Sequence, residues 1–120
     1  MASFRFQDLD IWKESILVSN MLFKVAHNLR NEKFYSFSDQ LLRATLSITN
    51  NIAEGSGSSS NKDFANYLNI ARKSTFECAN IIIILHECHL IEFDEKERLV
   101  GLLKELSKRI YYFRKTLLSE

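Results

Sequence analysis

Apolar residues recur every three or four positions along almost the whole chain, in four stretches separated by short polar links. The first stretch runs roughly from Asp8 to Asn28, with Leu9, Trp12, Ile16, Phe23 and Ala26 as its apolar positions. LRNEKFYS reads as the connection that follows. Ser36, with Asp39 three residues on, has the form of a capping box and opens the second stretch, which runs to Ala53 or Glu54. Gly55 supplies its stop. After the loop GSGSSSN, Ser60 and Asp63 open a third stretch, Asn61 to Cys88, with Phe64, Leu68, Ala71, Thr75, Cys78, Ile82 and Leu85 on one face. Asp94 with Glu97 caps a fourth, reaching Leu118, whose face holds Leu99, Leu102, Leu103, Leu106, Ile110, Phe113 and Leu117. No strand pattern intervenes, and a chain without proline and with three glycines can carry long helices. The pattern predicts an all-α fold: one domain over residues 1–120, an antiparallel up-down-up-down four-helix bundle.

The second helix carries a polar row beside its core face. At 100° per residue Gln40, Ser47 and Glu54 align, flanked by Arg43 and Asn50, while Phe37, Leu41, Ala44, Ile48 and Ile52 occupy the neighbouring face. Polar groups at the edge of a core need partners or water, because an unpaired buried one costs about 1–3 kcal/mol. The row therefore marks either a specific packing arrangement or a binding surface.

There are also more apolar residues than four inward stripes can hold. Phe76, Ile83 and Ile84 project away from the core face of the third helix, and Leu42 and Leu46 lie on the far side of the second from its polar row. A helix apolar around most of its circumference needs more than one neighbour. In a chain this small that neighbour is expected to be another copy, so these five residues are the candidate oligomer interface.

Bulk charge narrows the partners. Sixteen Lys plus Arg stand against fifteen Asp plus Glu, so any polyanion must be held by a local patch, not by a global field. There is no apolar run of membrane-spanning length, and MASFRFQDLD lacks the build of a secretory signal. The two cysteines lie ten residues apart on one predicted helix, about 15 Å, too far for an intramolecular disulfide. Reduced cysteines without a signal point to the cytoplasm.

Candidate chemistry is sparse. No Ser, His and acid set falls in a nucleophile frame, and Glu54 and Glu77 lack the Glu-x-x-His motifs of a di-iron bundle, which leaves them as structural partners for Arg43 or for amide donors. His86 and His89 share a face but Cys88 points elsewhere, too few ligands for a closed zinc site. GSGSSSNKD feeds a helix N-terminus but lacks the spacing of a nucleotide loop, and reads as a connection. No catalytic, metal or cofactor residue is expected, and no small-molecule substrate. The fourth helix carries the best partner signal: Lys104, Lys108 and Lys115 fall on one outward face with Tyr111 among them, and Arg109 and Arg114 lie nearby. Cations interleaved with aromatics suit phosphate contact and base stacking. The same helix begins with Asp94, Glu95 and Glu97, so acid-first, base-last can equally complement its dipole. Gly101, mid-helix, marks close approach by a neighbour.

FQDLDIWKES, QLLRATLSITNNIAEGSG and NKDFANYLNIARKSTFE together resemble the bacterial proteins encoded by intervening sequences of 23S rRNA genes, relatives of the accessory variability protein of diversity-generating retroelements. The resemblance spans nearly the whole chain. It implies a four-helix bundle assembled as a homopentamer, a nucleic-acid-binding role and no enzymatic activity. It marks Gln40, Arg43, Ser47, Asn51, Glu54, Gly55 and Glu77 as motif residues, most of them structural, with Asn51 and Glu54 ending a helix and Arg43 meeting a carboxylate. Two positions depart from the pattern: Ser58, where relatives often carry Arg, and Lys73, where they often carry Gly. The expected function is a non-enzymatic, oligomeric bundle binding RNA or a ribonucleoprotein through basic faces; the alternative is a structural or adaptor bundle whose partner is protein.

Overall fold

The computed structural model describes residues 3–120. A short 3-10 turn, Arg5–Asp8, leads into four helices: α1 (Asp10–Asn31), α2 (Tyr35–Ser56), α3 (Asn61–Glu87) and α4 (Phe93–Leu118). Links of three to five residues force consecutive helices to run antiparallel, and each packs along the next. The α1–α4 seam that closes the bundle is the thinnest of the four. The all-α up-and-down bundle read from the sequence is the architecture observed.

The stripes of α3 and α4 are buried as expected, from Phe64 to Leu85 and from Leu99 to Leu117, with Leu102 and Phe113 at their half-buried edges. The stripe of α1 is not the expected one. Ile11, Val18, Leu22, Val25, Ala26 and Leu29 line the core, and Leu9, Trp12, Ile16 and Phe23 are only half-buried. Two buried serines, Ser15 and Ser19, interrupt that stripe and hide it in the sequence. Ser15 is accommodated because its hydroxyl donates to the Trp12 carbonyl at 2.7 Å. Trp12 instead meets Phe6 of the 3-10 turn edge-on, with ring centroids 5.1 Å apart.

Helix starts also differ. The residue flanking α2 is Phe34, so Ser36 sits inside the first turn and caps nothing, while Asp39 pairs with Arg30 at 3.2 Å. Glu92 flanks α4, leaving Asp94 and Glu95 within its first turn. Both starts are set by how the preceding helix ends. After α1, Phe34 N–H reaches the Leu29 carbonyl and Lys33 N–H the Arg30 carbonyl; after α3, Leu90 reaches Leu85 and His89 reaches His86. These are paired Schellman closures, with Lys33 (φ 70°) and His89 (φ 61°) in the left-handed position usually given to glycine. The Ser60 cap is as expected: its hydroxyl accepts from Asp63 N–H at 3.1 Å.

Gly55 does not stop α2, which runs on to Ser56. Its lack of a side chain serves packing, since a Cβ there would lie 2.7 Å from Tyr67 Cβ and 2.8 Å from Phe64 Cδ1. Gly101 is the reverse case: among the described residues a Cβ would meet nothing within 4 Å, so none of the described elements approaches it.

Candidate nucleic-acid interface

The polar row of α2 separates into two parts. Ser47 faces α3, where the Ser74 hydroxyl donates to its Oγ at 2.7 Å, and Asn51 Nδ2 donates to the Ser47 carbonyl at 2.8 Å and to Oγ at 3.1 Å. Asn51 is thus a rivet inside the helix and not its end. The expected Arg43 ion pair is absent: Arg43 is exposed and, among the described residues, no carboxylate lies within 4.0 Å of it. Gln40 and Glu77 line a groove between α2 and α3 with Phe37 and Ile84. Glu54 lines a different hollow, beside Phe4 and Arg5. The Ser47–Ser74 register sets Glu54 and Glu77 about 15 Å apart along the bundle axis, so they do not form a carboxylate pair.

The basic residues of α4 also divide. Lys104, Lys108 and Lys115 are exposed on its outer ridge with Tyr111 and Tyr112, and none of the three has a carboxylate within 4.0 Å among the described residues. Arg109 and Arg114 are occupied elsewhere. Arg114 Nε donates to the Ala65 carbonyl of α3 at 2.9 Å. Arg109 stands 3.2 Å from Glu14 of α1 and 3.4 Å from Glu105, clamping the thin seam. Glu14 Oε2 is buried without a hydrogen-bond donor, and that burial raises its pKa above the usual carboxylate value despite Arg109.

Two contributors come from outside the expected set. Arg72 of α3 crosses to α4, and its guanidinium lies over both Phe76 and Tyr111, with Cζ 5.0 and 5.2 Å from the two ring centroids. Tyr112 meets Tyr111 edge-on at 5.2 Å, with the planes 87° apart. Arg72, Lys108, Arg109, Tyr111, Tyr112 and Glu105 share a hollow of about 520 Å³. Tyr112 could have been suspected from its place beside Tyr111. Arg72 could not, because its neighbours are fixed by the α3–α4 register.

The candidate interface residues stay outside the core. Leu42, Leu46, Phe76, Ile83 and Ile84 are 38–58% exposed. Phe76 and Ile83 join Ala79, Val100 and the Lys104 stem in a mainly apolar groove of about 420 Å³ between α3 and α4.

Residues 7–112 match the family model of the 23S rRNA-intervening sequence protein. The chain belongs to that family. A solved member of the S23 ribosomal protein family from Bacteroides thetaiotaomicron VPI-5482, itself of unknown function, has 27% identity and a TM-score of 0.83. That match covers 88% of this chain and 98% of the other. No curated protein matches significantly. In this 23S rRNA-intervening sequence protein, Gly55 serves the packing of α2 on α3, and Ser47 joins the same two helices through Ser74. Among the described residues no helix is long and apolar enough to cross a membrane, and no three His, Cys, Asp or Glu side chains converge as metal ligands. Of the cysteines, Cys88 is exposed, while burial pushes the Cys78 thiol up to about 12.

Proposed function

We propose that this 23S rRNA-intervening sequence protein is a non-enzymatic bundle that binds RNA, free or within a ribonucleoprotein, through the outer ridge of α4, and that copies associate through their exposed apolar faces. The observation that carries the reading is the set of lysines, Lys104, Lys108 and Lys115, that have no carboxylate partner among the described residues and lie beside two exposed tyrosines. Dipole complementation accounts for Lys115 in the last turn but not for Lys104 and Lys108, because that effect fades beyond one turn and α4 continues to Leu118. Self-association would add the ridges of several copies and make a weak surface effective, as in the ring of five implied by resemblance. Changing all three lysines to Glu should abolish RNA binding at about 100 mM salt while leaving the helical fold intact; unchanged affinity refutes the reading. Sedimentation at micromolar concentration should show an assembly that Ile83→Asp disperses, and a clean wild-type monomer would end that half of the proposal.

The second reading, an adaptor whose partner is protein, is favoured by one feature, the apolar groove of Phe76, Ile83 and Val100. It requires that groove to remain open in solution and requires no affinity for RNA at physiological salt.

A further inference from the structure

The hollow on α4 is built differently from an electrostatic landing strip. Its cations are few, and two carboxylates, Glu105 inside it and Glu14 behind Arg109, work against a long run of phosphates. What it offers beyond charge is a free aromatic face. Tyr111 is partly covered by the Arg72 guanidinium, but Tyr112, 62% exposed, meets Tyr111 only edge-on. The Arg72 guanidinium packs over both Phe76 and Tyr111, which restrains it beside the hollow before a ligand arrives.

A paired A-form helix presents phosphates and 2′-hydroxyls and keeps its base faces covered. A tyrosine face beside two cations gains little from such a surface. An unpaired nucleotide can lay its base on the ring and leave its phosphates to neighbouring cations. The hollow is a shallow, open depression of about 520 Å³, which leaves room for one nucleotide laid on the surface.

Resting on the RNA-binding reading above, we propose that this hollow takes an unpaired nucleotide, its base stacked on Tyr112 and its flanking phosphates held by Lys108 and Arg72, so that the partner is single-stranded or looped RNA and not duplex. Glu105, which lines the hollow and is paired with Arg109, repels phosphate and so favours the Lys108 side for the backbone.

The test is fluorescence anisotropy of the full chain with a labelled mixed-sequence 12-nucleotide RNA, single-stranded and annealed into duplex, at about 50 mM salt. The single strand should bind at least about fivefold tighter than the duplex. Tyr112→Ala should weaken single-strand binding by about 5- to 150-fold, the loss that one base–aromatic stack carries, and leave duplex binding unchanged. Tyr112→Phe, which keeps the ring, should bind like wild type. Circular dichroism of both variants reports whether the bundle is intact. Equal binding of both RNAs, or a Tyr112→Ala variant that binds like wild type, overturns this inference and leaves RNA binding standing. If neither RNA binds wild type, the RNA reading itself fails and takes the inference with it.

Discussion

Gly55 and Gly101 both lie within helices, yet replacing each by alanine should move stability in opposite directions. At Gly101 the new methyl meets nothing within 4 Å, so the variant gains helix propensity alone, about 0.5–1 kcal/mol. At Gly55 the same methyl would sit 2.7 Å from Tyr67 Cβ and 2.8 Å from Phe64 Cδ1. A Cβ next to a helix backbone cannot swing aside, so α2 and α3 must separate or Phe64 must leave its place. Overpacking of this kind costs about 1–3 kcal/mol. The offsetting propensity gain is small, because Gly55 is one residue from the end of α2. The net loss is about 1–2 kcal/mol, and at about 4 °C per kcal/mol Gly55→Ala should lower Tm by about 4–8 °C. Gly101→Ala should raise it by about 2–4 °C. Thermal and urea melts of the two variants with wild type supply the comparison. A Gly55→Ala variant as stable as Gly101→Ala would refute the close-approach account and free Gly55 for another role.

Three further outcomes follow from local chemistry. His89 holds a left-handed conformation at the Schellman closure of α3, so His89→Gly should stabilise by about 1 kcal/mol in a urea melt, and a loss would contradict that geometry. The Glu14 pKa is raised chiefly by burial, with Arg109 opposing and Glu105 adding, so the ionised form costs stability at neutral pH and the cost fades as the carboxyl protonates in acid. Glu14→Gln should therefore raise Tm relative to wild type more at pH 7 than at pH 4, and the reverse order would show that Arg109 outweighs the burial. Cys88 should react with a thiol reagent in the native protein, whereas Cys78, pushed up to about 12, should react only after unfolding; two fast thiols would contradict its burial.

The bundle was legible because the α3 and α4 stripes run unbroken from end to end. α1 was misread because Ser15 and Ser19 occupy its core face, while Trp12 and Phe23, the larger apolar residues, sit at its edges. Starts of α2 and α4 were misplaced because the Schellman turns before them fix where the next helix begins, and neither turn contains glycine. The outer ridge of α4 was readable because exposure follows from angle alone. Whether a flanking cation is free was not, since Arg109 and Arg114 are held by Glu14 of α1 and by a backbone carbonyl of α3. Arg72 was invisible for the same reason, being placed by register between helices and not by spacing within one.

The dependence of RNA affinity on salt probes the ridge most directly. With Arg72, Lys104, Lys108 and Lys115 each neutralising a phosphate of a single strand, log K should fall against log salt with a slope of about −3 per copy, a loss of about 50-fold between 50 and 200 mM. The Lys104→Glu, Lys108→Glu, Lys115→Glu chain should show no measurable affinity across that range. A wild-type affinity that stays flat with salt, or one that the charge reversal leaves intact, would contradict an RNA-binding ridge.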